Sequence, residues 1–161
     1  MKTPQYPPLL LKYLKMFQDD PTSRIFAPLA EAYRKIGLVE EAIDICKEGI
    51  AANPHFIGGK VALARAYYDK GVPGEVVAAL RPIIDQIPDN LMAQRLYAES
   101  CMTLGFVPDA LGALKLLMYF NPGDRATASM VSDLETRLVQ GGAGLLRLGD
   151  GGERERGLPR G

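Results

Sequence analysis

The chain has 161 residues, 47% of them apolar, which suits one domain with a continuous core and excludes a chain that is disordered throughout. Nineteen basic and nineteen acidic side chains cancel, so the balance points to neither a nucleic-acid duplex nor an anionic membrane, and a protein or peptide partner fits better. No stretch approaches the roughly 18 apolar residues of a membrane span, and Cys46 and Cys101 form no CxxC pair and fall at helical core positions, where buried free thiols are expected.

The amino-terminal stretch MKTPQYPPLLLKYLKMF is interrupted by Lys12 and Lys15 and is followed by no small-residue cleavage site. It is therefore not read as a signal peptide, and a cytoplasmic location is expected. Within it, Pro8 to Asp19 carries Leu9, Leu10, Tyr13, Leu14 and Phe17 on one stripe, the pattern of a leading cap helix.

Beyond Asp20 the sequence repeats itself. LAEAYRKIG at Leu29 to Gly37 returns as LARAYYDKG at Leu63 to Gly71 and, more faintly, as YAESCMTLG at Tyr97 to Gly105, each copy 34 residues after the last. Three series keep the same phase: Ala30, Ala64 and Ala98; Gly37, Gly71 and Gly105; Pro54, Pro88 and Pro122. Each has a physical task. The glycine ends a helix by entering the left-handed region that it occupies without steric cost. The alanine, midway along that helix, lets a partner helix approach closely. The proline stops the second helix, which begins with the acids Glu40 and Glu41, weakly with Gly74-Glu75, and with Pro108 and Asp109. Around the stops, Asp20, Asn53, Asp89, Asn90 and Asn121 are expected to cap the helix that follows. The unit is helix, turn, helix, turn, and a fixed period of this size marks stacked repeats.

Two places depart from the pattern. Pro82 lies inside the second helix of the middle unit, crowds the carbonyl of Ala78 and predicts a kink. Leu114 to Phe120, LKLLMYF, is apolar almost all round, more than one face requires, and predicts burial under a following helix or a contact surface. After Pro122, Asp124 can cap a closing helix of about residues 125–140 with Met130, Val131, Leu134 and Leu138 facing inward. GGAGLLRLGDGGERERGLPRG, residues 141–161, has no period and is expected to be a flexible tail, a non-native origin being the alternative.

The arrangement resembles the tetratricopeptide repeat family, on Leu29, Ala30, Tyr33, Gly37, Ala42 and Pro54 in the first unit, and Leu63, Ala64, Tyr67, Gly71 and Pro88 in the second, where Val76 replaces alanine. Ala98, Gly105, Ala110 and Pro122 carry it in the third, while Tyr97 and Cys101 stand where leucine and tyrosine are usual. The large aromatic near the start of the family's first helix survives only as Phe26; Lys60 and Gln94 hold the other two places. The resemblance implies an all-α fold, a right-handed α-solenoid of three helix pairs (21–54, 55–88 and 89–122) between capping helices in 1–20 and 123–140.

Residues that could carry chemistry have simpler readings. His55, the single histidine, follows Asn53-Pro54 at a helix start with no nucleophile placed beside it and reads as a solvated turn residue. Gly58-Gly59-Lys60 lacks the rest of a phosphate-binding loop, Val61 standing where the hydroxyl would be; these glycines allow close helix contact or loosen a first turn. The neighbouring carboxylates Asp19-Asp20 and Glu40-Glu41 suit helix starts, not a facing acid–base pair. No spacing of His, Cys, Asp and Glu suggests a metal. No enzymatic activity and no cofactor are therefore expected.

The resemblance further implies a concave groove lined by the first helix of each pair. Its positions are Arg24, Ala27, Glu31, Arg34 and Lys35; Gly58, Val61, Arg65, Tyr68 and Asp69; and Met92, Arg95, Glu99, Met102 and Thr103. Glu31, Arg65 and Glu99, each 34 apart, alternate in sign at one height, so they can form an internal salt-bridge ladder. Arg34, Arg65 and Arg95 form a diagonal cationic line suited to carboxylates of a partner. Heat-shock chaperone adaptors of the family clamp a terminal carboxylate, but Ala27, Glu31 and Ala62 hold three of the clamp's places here, so that clamp is not expected.

The function expected is a protein-interaction adaptor that binds a partner protein or peptide in this groove. Its alternatives are a small secretion-type holdase chaperone, which needs an apolar groove, and a self-associating module, a homodimer through Leu114, Leu117, Met118, Tyr119 and Phe120. FAPLAEAYRKIG also resembles bacterial adaptor members tied to pilus assembly or to small GTPases of cell polarity.

Overall fold

The computed structural model describes the backbone of residues 5–154 and the side chains of residues 5–141. Among these residues the chain forms eight α-helices and one 3-10 turn, with no strand. They are α1 (Pro8–Asp19), α2 (Phe26–Lys35), α3 (Val39–Ala52), α4 (Ile57–Lys70), α5 (Pro73–Leu80), α6 (Leu91–Leu104), α7 (Val107–Phe120) and α8 (Arg125–Arg154). Helices adjacent in sequence pack on one another, and α2, α4 and α6 also pack side by side. The result is a right-handed all-α solenoid with α2, α4 and α6 on its inner side.

Three identical turns set that geometry. Gly37, Gly71 and Gly105 have φ of 84°, 79° and 79°, and no other described residue has positive φ. Leu38, Val72 and Phe106 each donate their N–H to the carbonyl five residues back, on Tyr33, Tyr67 and Cys101, while the glycine N–H bonds three residues back. This double closure satisfies the carbonyls a helix end leaves free and turns the chain into the next helix. Ala30, Ala64 and Ala98 are buried where neighbouring helices meet, as their phase predicts. Cys46 and Cys101 are buried free thiols, and burial pushes them up to about 12 and about 11, so neither forms thiolate near neutral pH.

Phe26 is fully buried, and the helices make room for it with glycine: a Cβ on Gly49 would stand 2.0 Å from Phe26 Cγ, and one on Gly59 2.4 Å from its Cζ. In the third unit the same place holds Gln94, also buried, whose Nε2 donates to the carbonyls of Ile84 and Ile87 at 3.1 Å each. The reason lies in α5. Pro82 does not kink that helix as expected but ends it at Leu80; a 3-10 turn over Ile84–Gln86 follows. In this irregular segment the Ile84 and Ile87 carbonyls accept backbone N–H groups from Ile87 and Asn90, and the glutamine amide adds a second donor to each, which an aromatic ring cannot.

Capping differs in detail from the expectation. Asn90 Oδ1 accepts from the Ala93 N–H and Asp124 Oδ1 from the Ala126 and Thr127 N–H groups, so these two cap α6 and α8. Asn53 instead donates Nδ2 to the carbonyls of Thr22 and Gly49, tying the end of α3 to the turn before α2. The end helices are less completely covered than their stripes predict. In α1, Leu10 and Phe17 are buried but Leu9 is exposed; in α8, Val131 and Leu134 are buried but Leu138 is exposed. The α8 backbone also stays helical to Arg154, past the expected end near Gln140. No proline interrupts it, and glycine costs a helix only about 1 kcal/mol per residue. The last seven residues of the expected tail lie outside the described residues.

Candidate functional site

The inner faces of α2, α4 and α6 bring part of the expected set together. Glu31 Oε2 accepts from Arg34 Nη2 at 3.0 Å and pairs with Arg65 Nη1 at 2.9 Å, while Arg34 Nη1 donates to Asp69 Oδ2 at 2.9 Å. Four side chains from two adjacent repeats thus form one network. The hydrogen bond to Glu31 and, more weakly, that to Asp69 hold the Arg34 guanidinium above its ordinary pKa against burial, which opposes them.

The expected ladder is half formed. Arg65 reaches Glu31 but does not pair with Glu99. Tyr68, one turn further along α4, donates its hydroxyl to Glu99 Oε2, and this bond raises the tyrosine pKa. Nor is the diagonal cationic line uniformly open. Arg34 is 16% exposed with both terminal nitrogens engaged, and its Nε is buried without a partner among the described residues. Arg65 is partly exposed, and Arg95, 51% exposed, has among the described residues only Asp124 as an ion-pair partner, at 3.9 Å. The guanidinium readiest to meet a partner is therefore Arg95, followed by Arg65.

The other candidates are more scattered. Arg24 lies in the turn before α2, not on the helix, with its guanidinium 4.8 Å from the Phe56 ring centroid. Met92 and Met102 are half-buried on α6, and Met102 packs against the core. His55 is exposed in its turn. Among the described residues no group of three or more His, Cys, Asp or Glu could hold a metal ion, and no helix is long and apolar enough to cross a membrane. Of the surface expected for self-association, Leu114 and Leu117 are buried in the core and Met118 half-buried; Tyr119 is 79% exposed and Phe120 stands edge-on to it.

Three hollows lie between neighbouring helices. One of about 320 Å³ lies between α1 and α2, lined by Pro7, Leu9, Leu10, Tyr13, Pro28, Glu31, Ala32, Lys35 and Ile36. A shallower one of about 190 Å³ shares Pro28 and Glu31 with it and continues past Val61 to Arg65. The third, about 260 Å³, begins at Tyr68 and Glu99 and reaches Val72 and Val76. The α1–α2 hollow could not be read from the sequence, because it depends on how the cap helix sits on the first repeat.

With this geometry in place, the comparisons with known proteins are consistent. No protein-family model matches the chain. The anaphase-promoting complex subunit cut9 of Schizosaccharomyces pombe (strain 972) is 28% identical over 103 residues, 62% of this chain but 15% of that protein, so the chain spans a small part of that relative's length. Among solved structures, MamA superposes with a TM-score of 0.67 at 18% identity, covering 78% of this chain and 74% of MamA. YrrB, described as a TPR protein with an unusual peptide-binding site, superposes with a TM-score of 0.68 at 14% identity over 80% of this chain and 66% of its own. The chain has the tetratricopeptide-repeat fold.

Proposed function

We propose that the chain is a non-catalytic interaction module that holds a partner protein or peptide on the inner face of α2, α4 and α6. The observation that carries this reading is the side-by-side packing of α2, α4 and α6, with one hollow lined by Glu31 and Arg65, another by Tyr68 and Glu99, and Arg95 exposed on α6. The ion-pair network orders the floor, and a rigid floor lowers the entropy cost of holding a ligand. Partly exposed arginines then set register against acidic groups, while apolar contacts supply most of the affinity. The peptide-binding site described for YrrB, on the same fold, supports the same reading for this chain.

The holdase alternative needs an apolar groove, whereas the middle of this one is charged. The bacterial pilus and polarity systems rest on the resemblance of FAPLAEAYRKIG alone. The test is retention of partners from a native lysate by the wild type and by Arg65→Glu, after circular dichroism shows equal helicity. Retention by the wild type and loss of the same partner by the variant, at least tenfold, is expected. Equal retention by both would exclude the groove as the site.

A second reading, homodimerisation, draws on the exposed Tyr119 and Phe120 at the end of α7. It predicts a sedimentation mass that rises with concentration and returns to the monomer value in Tyr119→Ser. A concentration-independent monomer mass contradicts it.

A further inference from the structure

We infer that the hollow beside Tyr68 and Glu99 is a lysine socket: it takes the ammonium-tipped side chain of a lysine from the partner held on the inner face. The inference rests on the groove reading above and names the chemistry of one contact in it. Among the described residues lining this hollow of about 260 Å³, Glu99 alone is charged, and Val72, Pro73 and Val76 form an apolar side. Glu99 Oε2 accepts from the Tyr68 hydroxyl, while Oε1 has no partner among the described residues. Arg95, one turn earlier on α6, is directed at Asp124 instead. Beside Glu99, Ser100 is 3% exposed, and its hydroxyl bonds to no described residue, whereas Thr103 and Thr136 donate theirs to the carbonyl four residues back. Among the described residues, Arg34 Nε is the one enclosed side-chain polar atom without a partner, so the Ser100 oxygen is reached from the hollow that it lines.

The interface between the first two repeats has a cation at the equivalent place. Thirty-four residues before Tyr68 and Thr103 stand Arg34 and Asp69. There the chain supplies its own positive charge, the Arg34 guanidinium, 16% exposed and bonded to Glu31 and Asp69. One repeat later a neutral tyrosine takes the arginine's position, and the Glu99 carboxylate is left to be paired from outside. An apolar wall beside a single carboxylate suits a long aliphatic stem with a charged end. Lysine fits better than arginine, because a guanidinium fork uses both oxygens of a carboxylate and Tyr68 already holds one. An ammonium needs only Oε1 and the Ser100 hydroxyl, which can accept as well as donate.

The test titrates the isotope-labelled full chain with Nα-acetyl-lysine methylamide and follows the backbone amides of Gly71, Glu99, Ser100 and Thr103 by NMR. Saturable shifts of these amides are expected, with an affinity in the millimolar range. The norleucine derivative, which has the stem without the charge, is expected to bind roughly tenfold more weakly, and the arginine derivative more weakly than the lysine one. Glu99→Gln, which keeps an oxygen for Tyr68, should weaken the lysine derivative by roughly tenfold, and Ser100→Ala by a few-fold. Tyr68→Arg should abolish its binding by restoring the chain's own cation. Circular dichroism checks that each variant is as helical as the wild type. Equal binding of the norleucine derivative, tighter binding of the arginine derivative, undiminished lysine binding by Glu99→Gln, or no saturable shift at tens of millimolar would each overturn the socket. The groove reading stands or falls separately, on the Arg65→Glu retention experiment.

Discussion

Phe26 occupies space that Gly49 and Gly59 vacate, whereas Gly112 faces open space, so Gly49 and Gly112 respond in opposite ways to the same added methyl group. At Gly49 a Cβ would meet the Phe26 ring at 2.0 Å, and the ring, fully buried, has nowhere to go. Gly49→Ala is expected to destabilise the protein by roughly 1–3 kcal/mol, the overpacking cost exceeding the helix-propensity gain. Gly112 lies on the open side of α7 with nothing within 4 Å of its Cβ position, so Gly112→Ala is expected to stabilise by up to about 1 kcal/mol. Urea denaturation of both variants reads the difference, and equal signs would contradict the packing described. The sequence leaves close helix contact or a loose first turn open at Gly59 and carries no signal at Gly49, since only the packing of three helices shows which glycine faces a ring. The same limit applied to the arginines. Their diagonal line, Arg34, Arg65 and Arg95 at spacings of 31 and 30, is visible in the sequence, but not that Arg34 is tied to Glu31 and Asp69.

At the scale of the elements, periodicity made the helices and their turns legible, and it was the departures that needed the structure. The three positive-φ glycines lie where the repeat places them, because a left-handed helix end is a local demand that the sequence must meet locally. Pro82 was recognised as a disturbance, yet whether a helix bends or stops depends on what satisfies the freed carbonyls. Here the chain passes into a 3-10 turn, and Gln94, on another helix, adds a side-chain donor to the carbonyls of Ile84 and Ile87. The loss of the usual aromatic at this place and the proline just after α5 are thus two parts of one adjustment. Gln94→Leu should preserve volume and remove the two amide bonds, lowering stability by roughly 1–3 kcal/mol, with faster amide exchange in residues 81–87. An unchanged denaturation midpoint would mean that the backbone donors to these carbonyls suffice without the amide. The side-chain caps divided for a similar reason: Asn90 and Asp124 face free helix N–H groups, whereas Asn53 finds nearer acceptors on Thr22 and Gly49.

At the scale of the molecule, one repeated unit yields a solenoid because each helix pair buries its apolar face only against the next. The fold follows from that rule and was legible early. The site was legible only in outline. The repeat identifies which helix faces inward, but pairing among Glu31, Arg34, Arg65 and Asp69, the capture of Glu99 by Tyr68 and the α1–α2 hollow depend on distances between elements. The central claim, that a partner lies in this trough, is tested most directly by site-specific photocrosslinking. A benzophenone amino acid would be placed at Tyr68 or Met102 on the inner side, at Glu48 or Ala78 on the outer helices, and at Tyr119 at the end of α7. The account predicts partner adducts from Tyr68 and Met102 and none from Glu48 or Ala78. Adducts confined to the outer helices, or only adducts to a second copy of the chain from Tyr119, would contradict it.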